Sequence, residues 1–407
     1  MAADGAGTWA PLRIGVFRGL FIAALTSNIG TWMQTVGAQW FLVERKASPT
    51  VIALVQTASL TPTLMLALFA GALADRVDRR RLLIAVQAYA AVAAAVLTAL
   101  AVAGVLDAVS LLVLLFAIGC AAALTTPAWQ ANQPELVPRE QLRSAASLGG
   151  VAVDAARAVG PPIAGLLVAA AGAEAVFAIN AVSFVAVIVA LLAWKRTPSA
   201  PVIEREPFGQ SVRAGITYIS ESRNMRRILV RAALFAFPAS ALWALLPVVA
   251  SQQFHLRAIG YGAVLGTVGV GAVIGAIMMT RLSATLSANA LLAIAALVAG
   301  AGLLAAAYLP LAAAVVLLLL AGVGWIATLT TLTVAAHTVL PQSMRARGLA
   351  IYLVVLIGSQ ALGSLVCGVV ASQFGLVASL TTSAVLLVGA ALSVAVLPLL
   401  PETADEQ

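Results

Sequence analysis

The chain has 407 residues, 62% of them hydrophobic and only 9% charged, with a formal net charge of +8. A soluble fold of this size needs far more polar cover, so the composition excludes one and points to an integral membrane protein. The positive balance does not indicate nucleic acid, because the basic residues sit in short segments between long apolar runs, where they anchor loops in the cytoplasm.

In chain order, residues 1–16 lack a cleavable secretory pattern, since the first apolar block is too long and has no small-residue exit site. Six candidate helices follow at 16–43, 49–74, 81–104, 108–132, 143–171 and 174–194. Runs of about 20 apolar residues suffice to cross roughly 30 Å of hydrocarbon. The first span carries Asn28, Trp32 and Gln34 among apolar neighbours. After the second comes Gly71-Ala72-Leu73-Ala74-Asp75-Arg76-Val77-Asp78-Arg79-Arg80-Arg81, a charge run that stops translocation.

In the fifth span, Asp154 lies about 16 Å along the axis from Arg143 at the interface, close to the bilayer centre. A charge there costs roughly 2.5 kcal/mol or more. Arg157 follows at a spacing that puts both side chains on one helix face. The pair reads as a self-neutralising structural contact or as a protonation site that Arg157 retunes when substrate enters. Gly160-Pro161-Pro162-Ile163-Ala164-Gly165 comes next, its small residues allowing close packing and its prolines bending the helix.

The hydrophilic stretch 195–227 opens with Pro198, Pro201 and Pro207 as a loop. Phe208, Val212, Ile216 and Ile219 then fall at helical spacing, which predicts an amphipathic surface helix. Six further spans are expected at 228–252, 259–281, 288–307, 310–336, 344–372 and 376–398. The organisation is therefore a half at 1–194, a linker at 195–227 and a second half at 228–407. Trp243, Phe235, Phe237 and Trp325 join Trp32 as candidate aromatic walls, and Gln360 joins Asn28 and Gln34 toward a central cavity. Cys120 and Cys367 both fall in apolar spans, so neither a disulfide nor a metal site is expected.

The halves repeat. Gly119, Pro138, Gly160, Gly165 and Gly172 recur as Gly322, Pro341, Gly363, Gly368 and Gly375, each offset by 203 residues. Parallel six-helix repeats with a midplane site between them are a transporter pattern. Of the 23 Lys and Arg residues, 19 fall in segments assigned to the side of the N-terminus, Arg231 counted among them. Arg45, Lys46 and Arg257 lie opposite, and this bias puts both termini in the cytoplasm.

Several runs together resemble a known family: Ser27 to Gln34, Gly71 to Arg81, Pro127 to Gln130, Pro134 to Glu140, and Ala156 to Pro161. They are similar to the transmembrane secretion effector branch of the major facilitator superfamily, which includes enterobactin exporters and macrolide efflux proteins. The likeness covers nearly the whole chain and implies an all-α fold of twelve transmembrane helices in two six-helix repeats. The family's loop usually reads G-x-L-A-D-R-x-G-R-R-R, with Asp78 here in place of a glycine. The resemblance implies a gating motif of Gly71, Asp75, Arg76, Arg79 and Arg80. Asp75 would cap the eleventh helix, and Arg76 and Arg79 would lock the outward-open state. Gly160, Pro161 and Gly165 look like the antiporter motif of drug exporters. A multi-pass, monomeric inner-membrane exporter of a small amphipathic molecule, working by proton antiport, follows as the expectation. Its partners would be substrate, protons and lipid, with no cofactor and no nucleic acid. Uptake, or a transport-dead sensor on this fold, is the alternative. No phosphate-cradling loop or catalytic constellation is present to indicate an enzyme.

Overall fold

Chain punctuation decides where the helices begin. Ser48, Asp78, Asp107, Ser222 and Ser287 each accept a backbone N–H at an N-cap, satisfying a donor that the helix itself cannot. A computed structural model describes residues 9–194, 217–342 and 344–399. Helices α1 (Gly15–Glu44), α2 (Pro49–Arg76), α3 (Arg79–Val102) and α4 (Ala108–Leu136) come first. The helical run Leu142–Ala193 breaks at Gly172, where φ is 78°. Its limbs are α5 (142–171) and α6 (173–193). The second half holds α7 (Arg223–Val248, continued by a π-turn at Val249–Gln253), α8 (Ala258–Thr285) and α9 (Ala288–Tyr308). It ends with α10 (Leu311–Val339), α11 (Arg345–Phe374) and α12 (Leu376–Leu392). The regular structure of the described residues is all helical.

Nine described stretches are long and apolar enough to cross a membrane, and Arg139–Ala193 among them, at 55 residues, is long enough for two crossings. The twelve expected helices are present in order. Differences lie at the ends. Helix α7 starts at Arg223 rather than 228 because Ser222 caps it there. Helix α12 stops at Leu392 rather than 398. Of the predicted linker helix, residues 217–221 are helical and Ile219 is buried, with the Tyr218 hydroxyl donating to the Val339 carbonyl at 3.1 Å. Phe208, Val212 and Ile216 lie outside the described residues.

The repeated glycines make equivalent contacts. Gly172 and Gly375 both take positive φ, 78° and 92°, where the fifth and eleventh helices turn into the next. A β-carbon on Gly160 would crowd Trp32 of α1, and one on Gly363 would crowd Phe237 of α7. Gly165 abuts Ala258 of α8, and Gly368 abuts Ala53 of α2. Helices α5 and α11 thus each pack on the first helix of their own half and the second helix of the other.

Candidate functional site

Helix α5 carries the central ion pair. Arg157 Nη1 lies 3.5 Å from Asp154 Oδ1, with the side chains only 14% and 21% exposed. That distance gives Coulomb attraction without a hydrogen bond, and Arg157 Nε and Nη1 are buried with no hydrogen-bond acceptor. The guanidinium instead sits over two rings, 5.5 Å from Trp32 of α1 and 5.8 Å from Trp243 of α7. Those rings lie 5.6 Å apart, Trp243 meets Trp325 of α10 edge-on at 5.4 Å, and Trp325 meets Phe235 at 5.8 Å. A continuous aromatic wall therefore runs from the first half into the second, with one cation at its start. The indole N–H groups of Trp243 and Trp325 are buried without acceptors. Trp243, Trp325 and Phe235 are buried in this conformation, and Trp32 is half-buried.

A polar roof closes the wall on one side. Gln39 Nε2 donates to the Trp243 carbonyl at 3.0 Å, the Tyr261 hydroxyl donates to Gln39 Oε1 at 2.5 Å, and Trp40 stacks on Tyr261 at 5.7 Å. Further contacts join the halves toward the same face, which bears the α1–α2 and α7–α8 loops. The Thr50 hydroxyl meets Ser372 Oγ at 2.7 Å, and the Thr57 hydroxyl donates to the Ala361 carbonyl at 3.1 Å.

Pro161 and Pro162 lack the N–H groups that the Arg157 and Ala158 carbonyls would otherwise accept. Glycines of α8 fill the bend. A β-carbon on Gly269 would stand 2.6 Å from the Arg157 oxygen, and one on Gly266 would collide with the Pro162 ring. The same seam brings Gly262 against the Pro161 carbonyl and Gly165 against that of Ala258. It holds Arg157 at a fixed depth beside the second half.

Asp154, Arg157, Trp32 and Trp243 are thus brought together, with Gly160, Pro161 and Gly165 alongside. Gln34 is not with them. It is 3% exposed and accepts from Asn180 Nδ2 of α6 at 2.7 Å, a contact inside the first half that replaces the expected cavity position. Asn28 and Gln360 are half-buried on α1 and α11. Gly71 and the side chains of Asp75 and Arg76 lie outside what the structure describes. Asp78, standing for the family's glycine, caps α3 by accepting from the Arg81 N–H at 2.8 Å. In this conformation Arg79 pairs with Glu135 of α4 at 3.5 Å. Arg80 donates to the Leu191 and Leu192 carbonyls of α6 at 2.7 and 3.0 Å. Both arginines bind the loop to its own half. Sequence reasoning missed Tyr261 and the role of Gln39. It also counted Arg231 with the loops, whereas the structure buries it within α7.

Residues 6–407 match the sequence profile of the family described as transmembrane secretion effector. The chain is 24% identical over 263 residues to the staphyloferrin A transporter of Staphylococcus aureus, covering 64% of this chain and 66% of that one. It is 27% identical over 220 residues to macrolide efflux protein A of Streptococcus pyogenes, covering 53% and 54%. The matches therefore span between about half and just under two thirds of these relatives' lengths. A crystal structure of a bacterial homologue of the human lysosomal transporter Spinster, inward-facing and unoccupied, superposes with a TM-score of 0.73. Identity to it is 17%, over 94% of this chain and 96% of that one, so this likeness concerns the fold.

Proposed function

The chain belongs to the transmembrane secretion effector family of major facilitator transporters, and we propose that it exports a small amphipathic molecule, siderophore- or drug-like, in exchange for protons. The observation that carries this reading is the sharing of Arg157 between Asp154 and the rings of Trp32 and Trp243 at the junction of the halves. With Asp154 ionised, Coulomb attraction draws the guanidinium toward the carboxylate, and the rings are free to stack the carried molecule. A proton on Asp154 cancels that attraction, and the guanidinium settles on the indole faces in the molecule's place. Proton and cargo then exclude one another, as antiport requires.

The halves 1–194 and 228–407 rock about this point, tied by 195–227. The roof of Gln39, Tyr261 and Trp40 acts as the outer gate, and its contacts are made in this conformation. Opening it frees Arg79 from Glu135, and the loop of Gly71, Asp75 and Arg76 engages α11 to hold the outward state. The basic bias puts both termini in the cytoplasm of an inner-membrane protein. Energised inverted membrane vesicles containing the protein should accumulate a labelled macrolide or staphyloferrin A several-fold over vesicles without it. Accumulation only in right-side-out vesicles would overturn export in favour of uptake.

A further inference from the structure

One buried cation takes no part in the central site. Arg231 of α7 is 5% exposed. Its Nε donates to the Leu397 carbonyl at 2.8 Å, while Nη2 is buried without an acceptor. Neither Arg79–Glu135 nor Arg157–Asp154, the ion pairs among the described residues, involves it. Its neighbour one turn earlier on α7, Arg227, adds a second positive charge and donates to the Pro398 carbonyl at 2.8 Å. On α10, the hydroxyl of Thr328 is also unpartnered, the residue being 1% exposed. Arg231 and Thr328 line one small cavity between α7, α9, α10 and α12, whose wall also includes Phe235, Leu292 and Ser393. It has room for a water-sized particle.

The two halves differ here. Thr125, the first-half counterpart of Thr328 at the 203-residue offset, accepts from Gln87 Nε2 at 3.4 Å and donates to the Ala121 carbonyl at 2.8 Å. Its hydroxyl is satisfied by neutral groups. In the second half the hydroxyl is open and a guanidinium stands beside it. A buried charge without a counter-charge is strongly unfavourable. A water molecule would take the Arg231 N–H but leave the charge unbalanced. A monatomic anion does both.

We propose that this cavity, widened slightly beyond its water-sized volume, is a site for a small monatomic anion, chloride in the cell, held by Arg231 Nη2 and the Thr328 hydroxyl. The ion would lock α7, α9, α10 and α12 together beneath the segment following α12, which is further pinned by Leu399 N–H donating to Asn289 Oδ1 at 2.8 Å. Because Phe235 lines the cavity and also touches Trp325, the ion supports the far end of the aromatic wall. The site does not depend on the direction or coupling of transport.

The test is thermal unfolding of the purified full-length protein in detergent, followed by tryptophan fluorescence, as gluconate is exchanged for chloride at constant ionic strength. The wild-type Tm should rise by several degrees and saturate, with bromide replacing chloride, since a ligand that binds only the folded state stabilises it by mass action. Arg231→Met keeps the aliphatic stem and should be flat across the titration. Thr328→Val should still respond, but at a several-fold higher chloride midpoint. A flat wild type means that the cavity holds only water, and the proposal falls. A response of wild-type size and midpoint in Arg231→Met assigns the effect to salt acting elsewhere and overturns it equally. Should Arg231→Met fail to fold, the Thr328→Val midpoint decides: unchanged, it removes the site.

Discussion

Replacing Arg157 by alanine is expected to abolish transport and to lower the amount of folded protein in the membrane several-fold. Asp154 has Arg157 as its ion-pair partner, and both side chains are largely buried. Removing one member of such a pair leaves an uncompensated charge, at a cost of about 3–5 kcal/mol. That is a large share of the ~5–15 kcal/mol that holds an ordinary domain together. The double variant Asp154→Asn, Arg157→Ala carries no charge at the site, so it should recover the folded yield while remaining inactive. Arg157→Lys keeps the charge but not the planar group that lies over Trp32 and Trp243. It should therefore fold and transport poorly. Size-exclusion profiles of a fluorescent fusion read the yield, and vesicle accumulation reads the activity. Normal yield and activity in Arg157→Ala would show that the ion pair contributes nothing.

A second large effect is expected at the seam between α5 and α8. Gly269→Val should reduce transport more than tenfold. Its β-carbon would lie 2.5 Å from the Ala158 Cα and 2.6 Å from the Arg157 carbonyl oxygen, so the helices must part. Overpacking of this kind typically costs about 1–3 kcal/mol. The larger consequence is functional, because parting the helices shifts Arg157 relative to Trp243. Gly389→Ala is the control. A β-carbon there meets nothing within 4 Å, and the change should be neutral or stabilising by about 0.5–1 kcal/mol. Equal transport by the two variants would mean that the seam does not set the position of the site.

The helices were legible because lipid and water impose a coarse pattern on the sequence: long apolar runs, N-capping Ser or Asp, and basic clusters at the ends. Gly119, Gly160 and Gly165 also betrayed the repeat, since close approach of backbones tolerates nothing larger. Asp154 and Arg157 stood out by depth alone. Partnerships across the chain were less visible. Gln34 looked like a cavity residue, yet its partner Asn180 is 146 positions away. The bond from Tyr261 to Gln39 spans 222 positions, and no local signal announces it. Arg231 was misplaced for a different reason. Its charge argued for a loop, although it falls inside the span predicted at 228–252. That conflict between charge and depth was the available sign of a buried cation.

Proton coupling through Asp154 is the central claim, and one measurement bears on it most directly. Inverted vesicles carrying wild type or Asp154→Asn are given an acid lumen by an imposed pH step, with a labelled macrolide or staphyloferrin A outside. Asparagine preserves the shape of aspartate but can neither ionise nor draw Arg157 off the indole faces. Wild-type vesicles should accumulate the molecule several-fold over a no-gradient control. Asp154→Asn vesicles, in which Arg157 stays on the rings, should take up little of it, with no difference between gradient and control. Gradient-driven accumulation by Asp154→Asn at the wild-type level would contradict the mechanism and reduce the pair to a structural contact.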